Sequence, residues 1–105
     1  MVKALHTDGA PAAIGPYSQA IQAGDFLFVS GQIPISPESG EIVEGIDNQT
    51  KQVLQNIEAI LSEAGVGFRK VVKFTIYLSN MNHFGTVNEI YGSFLEEPYP
   101  ARATV

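Results

Sequence analysis

The stretch DNQTKQVLQNIEAILSEAG, residues 47–65, carries the strongest structural signal in this 105-residue chain. Its apolar residues recur every three or four positions, the spacing that places side chains on one face of an α-helix. Asp47 is of the type that caps helix N-termini, and Gly65 is of the type that ends helices. The stretch therefore predicts an amphipathic helix, whose buried stripe is formed by Val53, Leu54, Ile57, Ile60, Leu61 and Ala64.

The segments before this helix favour β-strands. Residues 17–22 and 26–30 are short strand-like runs, and the Gly24-Asp25 dipeptide between them fits a tight hairpin turn. Residues 34–45 contain two prolines and a Ser-Gly pair, which predicts a loop that holds at most a small hairpin.

The segments after the helix predict a strand, a second helix and a final strand. Residues 72–79 alternate apolar and polar side chains, with Val72, Phe74, Ile76 and Leu78 on the apolar face. Residues 82–96 have helical spacing, and Pro98 forbids the helix from continuing. Residues 102–105 begin another strand. The inward stripe of the second helix consists of Phe84, Val87, Tyr91, Phe94 and Leu95.

These elements follow one another in the order ββαβαβ, which predicts an α+β fold with both helices packed on one face of a mixed sheet. The opposite face carries Val71, Thr75, Tyr77 and one side of the strand over residues 26–30, and it is too apolar to face water. A partner subunit is its natural cover, so the sequence favours an oligomer.

Six basic residues against eleven acidic ones give the chain a net charge of −5, without any run of Lys or Arg. This balance argues against nucleic-acid binding, which needs a positively charged surface. The absence of cysteine excludes disulfides, thiolate nucleophiles and sulfur-ligated metals. No segment resembles a signal peptide or reaches the roughly 20 apolar residues of a membrane span. We therefore expect a soluble cytoplasmic protein that does not enter a membrane.

The usual catalytic sets are not evident in the sequence. His6 and His83 are the only imidazoles, and their separation in sequence favours surface or capping roles over catalysis or a metal site. Ser18, Ser30 and Ser36 lack the G-x-S-x-G setting of a serine nucleophile. No glycine-rich nucleotide-binding motif is present.

Arg102 and a few small polar residues at the ends of elements remain as candidates. The planar guanidinium of an arginine can hold a carboxylate through two parallel hydrogen bonds. Gly31 follows a buried strand, where a glycine lets a ligand approach the backbone closely. Asn88 lies on the inward stripe of the second helix, so its amide must find a partner. Taken singly, Arg102 fits a surface or salt-bridge role and Asn88 a backbone-capping role better than a binding site, and Tyr17 and Ser30 alone likewise favour a structural role.

Four motifs taken together carry a family resemblance. They are AAIGPYSQA at residues 12–20, VSGQIP at 29–34, FGTVN at 84–88 and YPARATV at 99–105. In this order they resemble the reactive intermediate deaminase A (RidA) family, also called the YjgF/UK114 family. The resemblance covers essentially the whole chain, and no single motif carries it alone.

The resemblance implies a chorismate-mutase-like α+β fold, assembled as a homotrimer with clefts between subunits. It also implies a 2-iminobutanoate/2-iminopropanoate deaminase, which hydrolyses reactive enamines and imines such as 2-aminoacrylate to 2-oxo acids and ammonia. No metal or organic cofactor is expected. Arg102 would be the catalytic residue that holds the substrate carboxylate, and the backbone of Thr104, where the family often has cysteine, would help to position the substrate. The neighbouring subunit would contribute Tyr17, Ser30, Gly31 and Asn88, with Phe84 as an apolar wall.

Family chains continue past the arginine motif with a strand whose acidic residue is thought to position the attacking water. Residues 1–105 are therefore expected to form a single domain that lacks this C-terminal strand, and the acid has no assigned position. Two other functions stay open. One is a non-catalytic trimer that senses 2-oxo acids or related metabolites. The other is inhibition of translation or RNA cleavage, against which the net charge argues.

Overall fold

The computed structural model describes residues 2–105, which form five strands and two α-helices. Short 3₁₀ turns at Phe68–Lys70 and Met81–His83 precede β4 and α2. In chain order the elements are β1 (Val2–Leu5), β2 (Ala20–Ala23), β3 (Phe26–Val29), α1 (Ile46–Glu63), β4 (Lys73–Ile76), α2 (Phe84–Ser93) and β5 (Ala101–Thr104).

The predicted hairpin is confirmed as β2 and β3, which pair antiparallel with Ala23 opposite Phe26. Gly24 has a φ of +59°, a conformation that glycine adopts without strain at the first position of such a turn. The first strand is shorter than predicted, because residues 17–19 lie in the preceding loop. β1 was not predicted, and it pairs antiparallel with β2 to complete a three-stranded sheet.

Helix α1 begins one residue before the predicted cap and ends as predicted. Its N-cap is Gly45, with no side-chain capping bond, so the prediction of Asp47 as the cap is wrong and Asp47 lies in the first turn. Gly65 follows the helix with a φ of +78°. The N–H of Val66 then donates to the carbonyl of Leu61 at 3.0 Å, the closing bond of a glycine-ended helix.

β4 and β5 form a second, parallel sheet in which Phe74 lies opposite Arg102. The single mixed sheet of the prediction is thus present as two hydrogen-bonded sheets among residues 2–105. Helix α2 ends at Ser93, before the predicted end at residue 96, because the chain turns toward β5. None of the described helices is both long and apolar enough to cross a membrane.

Helix α1 joins the two sheets through separate core clusters. Ile60 packs with Leu27 and Val29 of the antiparallel sheet. Leu54 packs with Tyr91 of α2 and Phe74 of the parallel sheet. The helices therefore cover one face, as predicted. The other face is exposed and apolar, with Phe26, Phe28 and Tyr77 all more than half exposed, and Val72, predicted to face inward, is also exposed.

A buried amide ties the long loop to α1. Asn56 is fully buried, and its Nδ2 donates to the carbonyls of Ile33 and Ile35 at 3.3 and 3.0 Å. Its Oδ1 accepts from Gln52 Nε2 at 2.8 Å. The loop itself holds the small hairpin that was predicted, as a single bridge between Ile35 and Ile42.

Candidate functional site

Arg102 lies on β5 with its side chain directed toward α2. Its Nη1 donates to Asn88 Oδ1 at 2.5 Å. Its guanidinium carbon lies 5.5 Å from the ring centroid of Phe84 and 5.1 Å from that of Tyr91. An amide and two aromatic rings therefore all contact the guanidinium.

One stripe of α2 supplies all three contacts. Phe84, Asn88 and Tyr91 are spaced four and three residues apart, so they share a helix face. The partner that the Asn88 amide needs is Arg102 of the same chain. Within one chain Asn88 therefore lies beside Arg102, and its place in a cleft between subunits stays a prediction.

The guanidinium of Arg102 is exposed, and no carboxylate among residues 2–105 forms an ion pair with it. An arginine carries five N–H donors, and Asn88 engages one nitrogen. The other arginine, Arg69, is paired with Glu96 at 3.1 Å. Arg102 is thus the arginine whose donors remain free for an anionic ligand.

Tyr91 lies beneath this guanidinium and is only 6% exposed. Burial raises the pKa of Tyr91 above its ordinary value, and the positive charge of Arg102 opposes that rise. Helical periodicity places Tyr91 in the core but does not reveal its contact with Arg102. The available signal was its position on the same helical stripe as Phe84 and Asn88.

Thr104 lies two residues after Arg102 on β5, so its side chain shares the face that Arg102 uses. Its hydroxyl is buried without a hydrogen-bond partner among the described residues, as is the hydroxyl of Tyr91. One of these hydroxyl groups therefore belongs to a ring that contacts the guanidinium, and the other to the residue that follows Arg102 on the same strand face.

The remaining predicted site residues cluster at the antiparallel sheet. Ser30 Oγ donates to the carbonyl of Ser18 at 2.6 Å, directly after β3. Tyr17 is 54% exposed, and its hydroxyl accepts weakly from the N–H of Ile14 at 3.4 Å. A Cβ placed on Gly31 would meet nothing within 4 Å, so the space beside this backbone is open.

Gln19 fixes the loop that leads into this group. It is 3% exposed, and its Nε2 donates to the carbonyl of Pro11 at 2.8 Å. Its Oε1 accepts from the N–H of Thr7 at 2.7 Å. The polar atoms of Gln19 are therefore used to hold the chain in place, while those of Tyr17 remain largely exposed.

The candidate site thus consists of two groups within one chain. Arg102, Asn88, Phe84 and Thr104 form the arginine group, and Tyr17, Ser30 and Gly31 form the hairpin group. The two groups belong to different sheets. Within the range 2–105, no hydrogen bond connects the arginine group to the hairpin group.

Comparisons with known proteins agree with the fold and motifs. The sequence model of the endoribonuclease L-PSP family matches residues 7–105. A RutC family protein of Pyrococcus horikoshii is 54% identical over 100% of this chain and 84% of its own length. The 2-iminobutanoate/2-iminopropanoate deaminase of Mus musculus is 49% identical over 96% of this chain and 76% of its own length.

The crystal structure of Escherichia coli TdcF with bound serine has a TM-score of 0.94 to this chain at 40% identity. The likeness covers 98% of this chain and 84% of that one. It confirms the predicted α+β fold.

Proposed function

The chain belongs to the endoribonuclease L-PSP family, also called the YjgF or RidA family, and from this premise we propose that it hydrolyses reactive enamines and imines. The substrates are 2-iminobutanoate and 2-iminopropanoate, the latter being the imine tautomer of 2-aminoacrylate. The products are the 2-oxo acid and ammonia. The mouse relative at 49% identity is named for this activity.

The observation that carries the proposal is the free, pre-positioned guanidinium of Arg102. Both imines carry a carboxylate beside the reacting carbon, and an arginine fork matches that group with two parallel hydrogen bonds. Asn88 and the two rings hold the guanidinium without neutralising its charge. The TdcF structure, in which the bound molecule is an amino acid, supports a ligand of this size and charge.

The chemistry needs little beyond binding and orientation. The carbon of a protonated imine is electrophilic, so a water oxygen adds to it and forms a C–O bond. A proton then moves from that oxygen to nitrogen, the C–N bond breaks and ammonia leaves, and the remaining hydroxyl proton passes to the ammonia as the carbonyl forms. Arg102 orients the substrate throughout, and such orientation contributes a large share of the acceleration in reactions of this kind.

In this proposal the complete cleft forms between subunits of a homotrimer, and no metal or organic cofactor takes part. The arginine group of one chain would face the hairpin group of its neighbour. The separation of the two groups within a chain supports this arrangement. The exposed apolar sheet face gives the subunits a surface to bury.

The test generates the imine in the assay. An amino-acid dehydratase converts threonine or serine to the enamine, and 2-oxo acid formation is followed in the presence of semicarbazide, which traps the imine. We expect the protein to accelerate 2-oxo acid formation and Arg102→Ala to abolish the effect. Arg69→Ala, which removes the other arginine, is the matched control and should retain it. No acceleration by the wild-type protein would refute the proposal.

A second candidate is a binding protein that senses 2-oxo acids without turnover. It is favoured by one observation. Among residues 2–105 the groups that contact the guanidinium are an amide and two rings, none of which exchanges a proton readily at neutral pH. Thermal stabilisation by 2-oxobutanoate that depends on Arg102, without acceleration in the assay above, would support this candidate instead.

A further inference from the structure

We propose that Tyr91 is a positioning residue, whose ring fixes the guanidinium plane of Arg102 so that its donor edge stays free for the substrate carboxylate. The inference rests on the proposed role of Arg102 in binding that carboxylate. It concerns a residue that contacts Arg102 and is itself too buried to reach a ligand.

The packing around Tyr91 restricts the movement of its ring. Tyr91 packs edge-to-face against Phe74, with centroids 5.2 Å apart and planes at 83°. Phe74 is the residue paired with Arg102 across the parallel sheet. The same strand pair that positions Arg102 therefore also orients the ring on which its guanidinium rests.

The partner of an arginine determines which of its N–H groups remain available to a ligand. A carboxylate partner binds the N–H edge, as Glu96 does at Arg69, and so competes with any carboxylate ligand. An aromatic ring attracts the cation through its flat face and leaves the edge exposed. Tyr91 and Phe84 thus restrain Arg102 while leaving its hydrogen-bonding capacity to the ligand.

This restraint increases affinity because a free arginine side chain must lose rotamer freedom when it grips a ligand. The rings and Asn88 impose that loss before the ligand arrives. The hydroxyl of Tyr91 has no hydrogen-bond partner among the described residues, so the ring, and not the hydroxyl, does the positioning.

The first test is an NMR measurement on Arg102 itself, and it does not depend on turnover. The chain has two arginines, so its ¹H–¹⁵N spectrum contains two Nε–H signals, assigned with Arg69→Lys. We expect the Arg102 signal to be displaced by the ring current of Tyr91. Tyr91→Leu should move it toward the Arg69 position, and Tyr91→Phe should restore it. An unchanged Arg102 signal in Tyr91→Leu overturns the proposal.

The second test measures the binding of 2-oxobutanoate by calorimetry. A cation–π contact of this kind predicts that Tyr91→Leu weakens binding about 5- to 30-fold, and that Tyr91→Phe rescues most of the loss. Phe94→Leu is the control, since Phe94 is an aromatic residue of the same cluster that does not contact Arg102.

The Arg102→Lys variant distinguishes a positioning role of Tyr91 from a purely structural one. If Tyr91 acts through the guanidinium, Tyr91→Leu should change the affinity there by less than about twofold. An equal loss in both backgrounds overturns the proposal. Phe84→Leu, at a less buried ring, provides the same comparison should Tyr91→Leu fail to fold. Lack of turnover in the wild-type protein would refute the deaminase and leave the spectrum and binding results valid.

Discussion

Arg102 and Arg69 carry the same side chain in contrasting surroundings: Arg102 contacts two aromatic rings and an amide, whereas Arg69 is paired with Glu96. Arg102→Lys keeps the charge but loses the planar fork, so we expect kcat/KM for the imine to fall about 10²-fold while Tm stays unchanged. The dehydratase-coupled assay and a thermal melt measure both quantities. Arg69→Lys is the control. Equal turnover by Arg102→Lys and the wild type would remove Arg102 from the mechanism.

Tyr91 predicts a pH dependence of stability in alkaline solution. Its folded-state pKa is raised above the ordinary value of 10.0 because burial disfavours the phenolate. The unfolded chain then loses the proton at a lower pH than the folded chain. The contribution of the protonated Tyr91 to the free energy of unfolding is therefore complete below pH 10 and is lost as the pH rises through the folded-state pKa of Tyr91.

The expected result is that the free energy of unfolding of the wild type falls relative to that of Tyr91→Phe above pH 10, and not below it. Urea unfolding between about pH 8 and pH 11 measures the difference. Tyr99→Phe, at an exposed tyrosine, is the control. Parallel curves for the wild type and Tyr91→Phe would contradict the assignment.

The packing of the long loop against α1 depends on one side-chain amide, that of Asn56. Asn56→Ala removes a donor from the carbonyls of Ile33 and Ile35, of which that of Ile33 still accepts from the N–H of Ile35, and we expect the free energy of unfolding to fall by about 2 kcal/mol. Asn48→Ala is the matched control on the same helix, since Asn48 is exposed and bonds one carbonyl. Chemical denaturation compares the two. Equal losses would show that burial of the amide is not what stabilises the loop.

The elements with strong local signals were predictable from sequence. The hairpin followed from its two-residue turn, and the end of α1 followed from Gly65. β1 was missed because Val2–Leu5 is a short, mostly exposed edge strand. It has no clear alternation of its own and is defined by its pairing with Ala20–Ala23, far along the chain.

The sequence offered the candidate residues but not the contacts between them. The motifs identified Arg102 and Asn88, yet their contact joins β5 to α2 and depends on how these elements pack. Periodicity placed Asn88 inward without naming its partner. Periodicity also does not reveal the contact between Tyr91 and Arg102. An inward aromatic residue on a helix fits a core role whether or not a cation lies against its ring.

At the scale of the whole molecule, the exposed sheet face predicts assembly. Phe28 lies on the side of β3 opposite the helices and is 63% exposed. We expect Phe28→Asp to reduce the solution mass toward that of a single chain, because the charge would oppose burial of this face. Light scattering after gel filtration measures the mass. Ile42→Asp, at an exposed apolar loop residue, is the control, and an unchanged mass for Phe28→Asp would show that this face is not the interface.

The separation of the arginine group from the hairpin group has a genetic consequence. Two inactive chains, one carrying Arg102→Ala and the other Ser30→Ala, each keep the half of the cleft that the other lacks. When they are co-expressed, a ring of the proposed trimer that contains both kinds would have one junction where an intact arginine group meets an intact hairpin group. We therefore expect intragenic complementation: co-expression restores part of the deaminase activity, and mixing chains that carry the same substitution restores none. If the Arg102→Ala and Ser30→Ala chains stay inactive when they assemble together, the whole site lies within one chain.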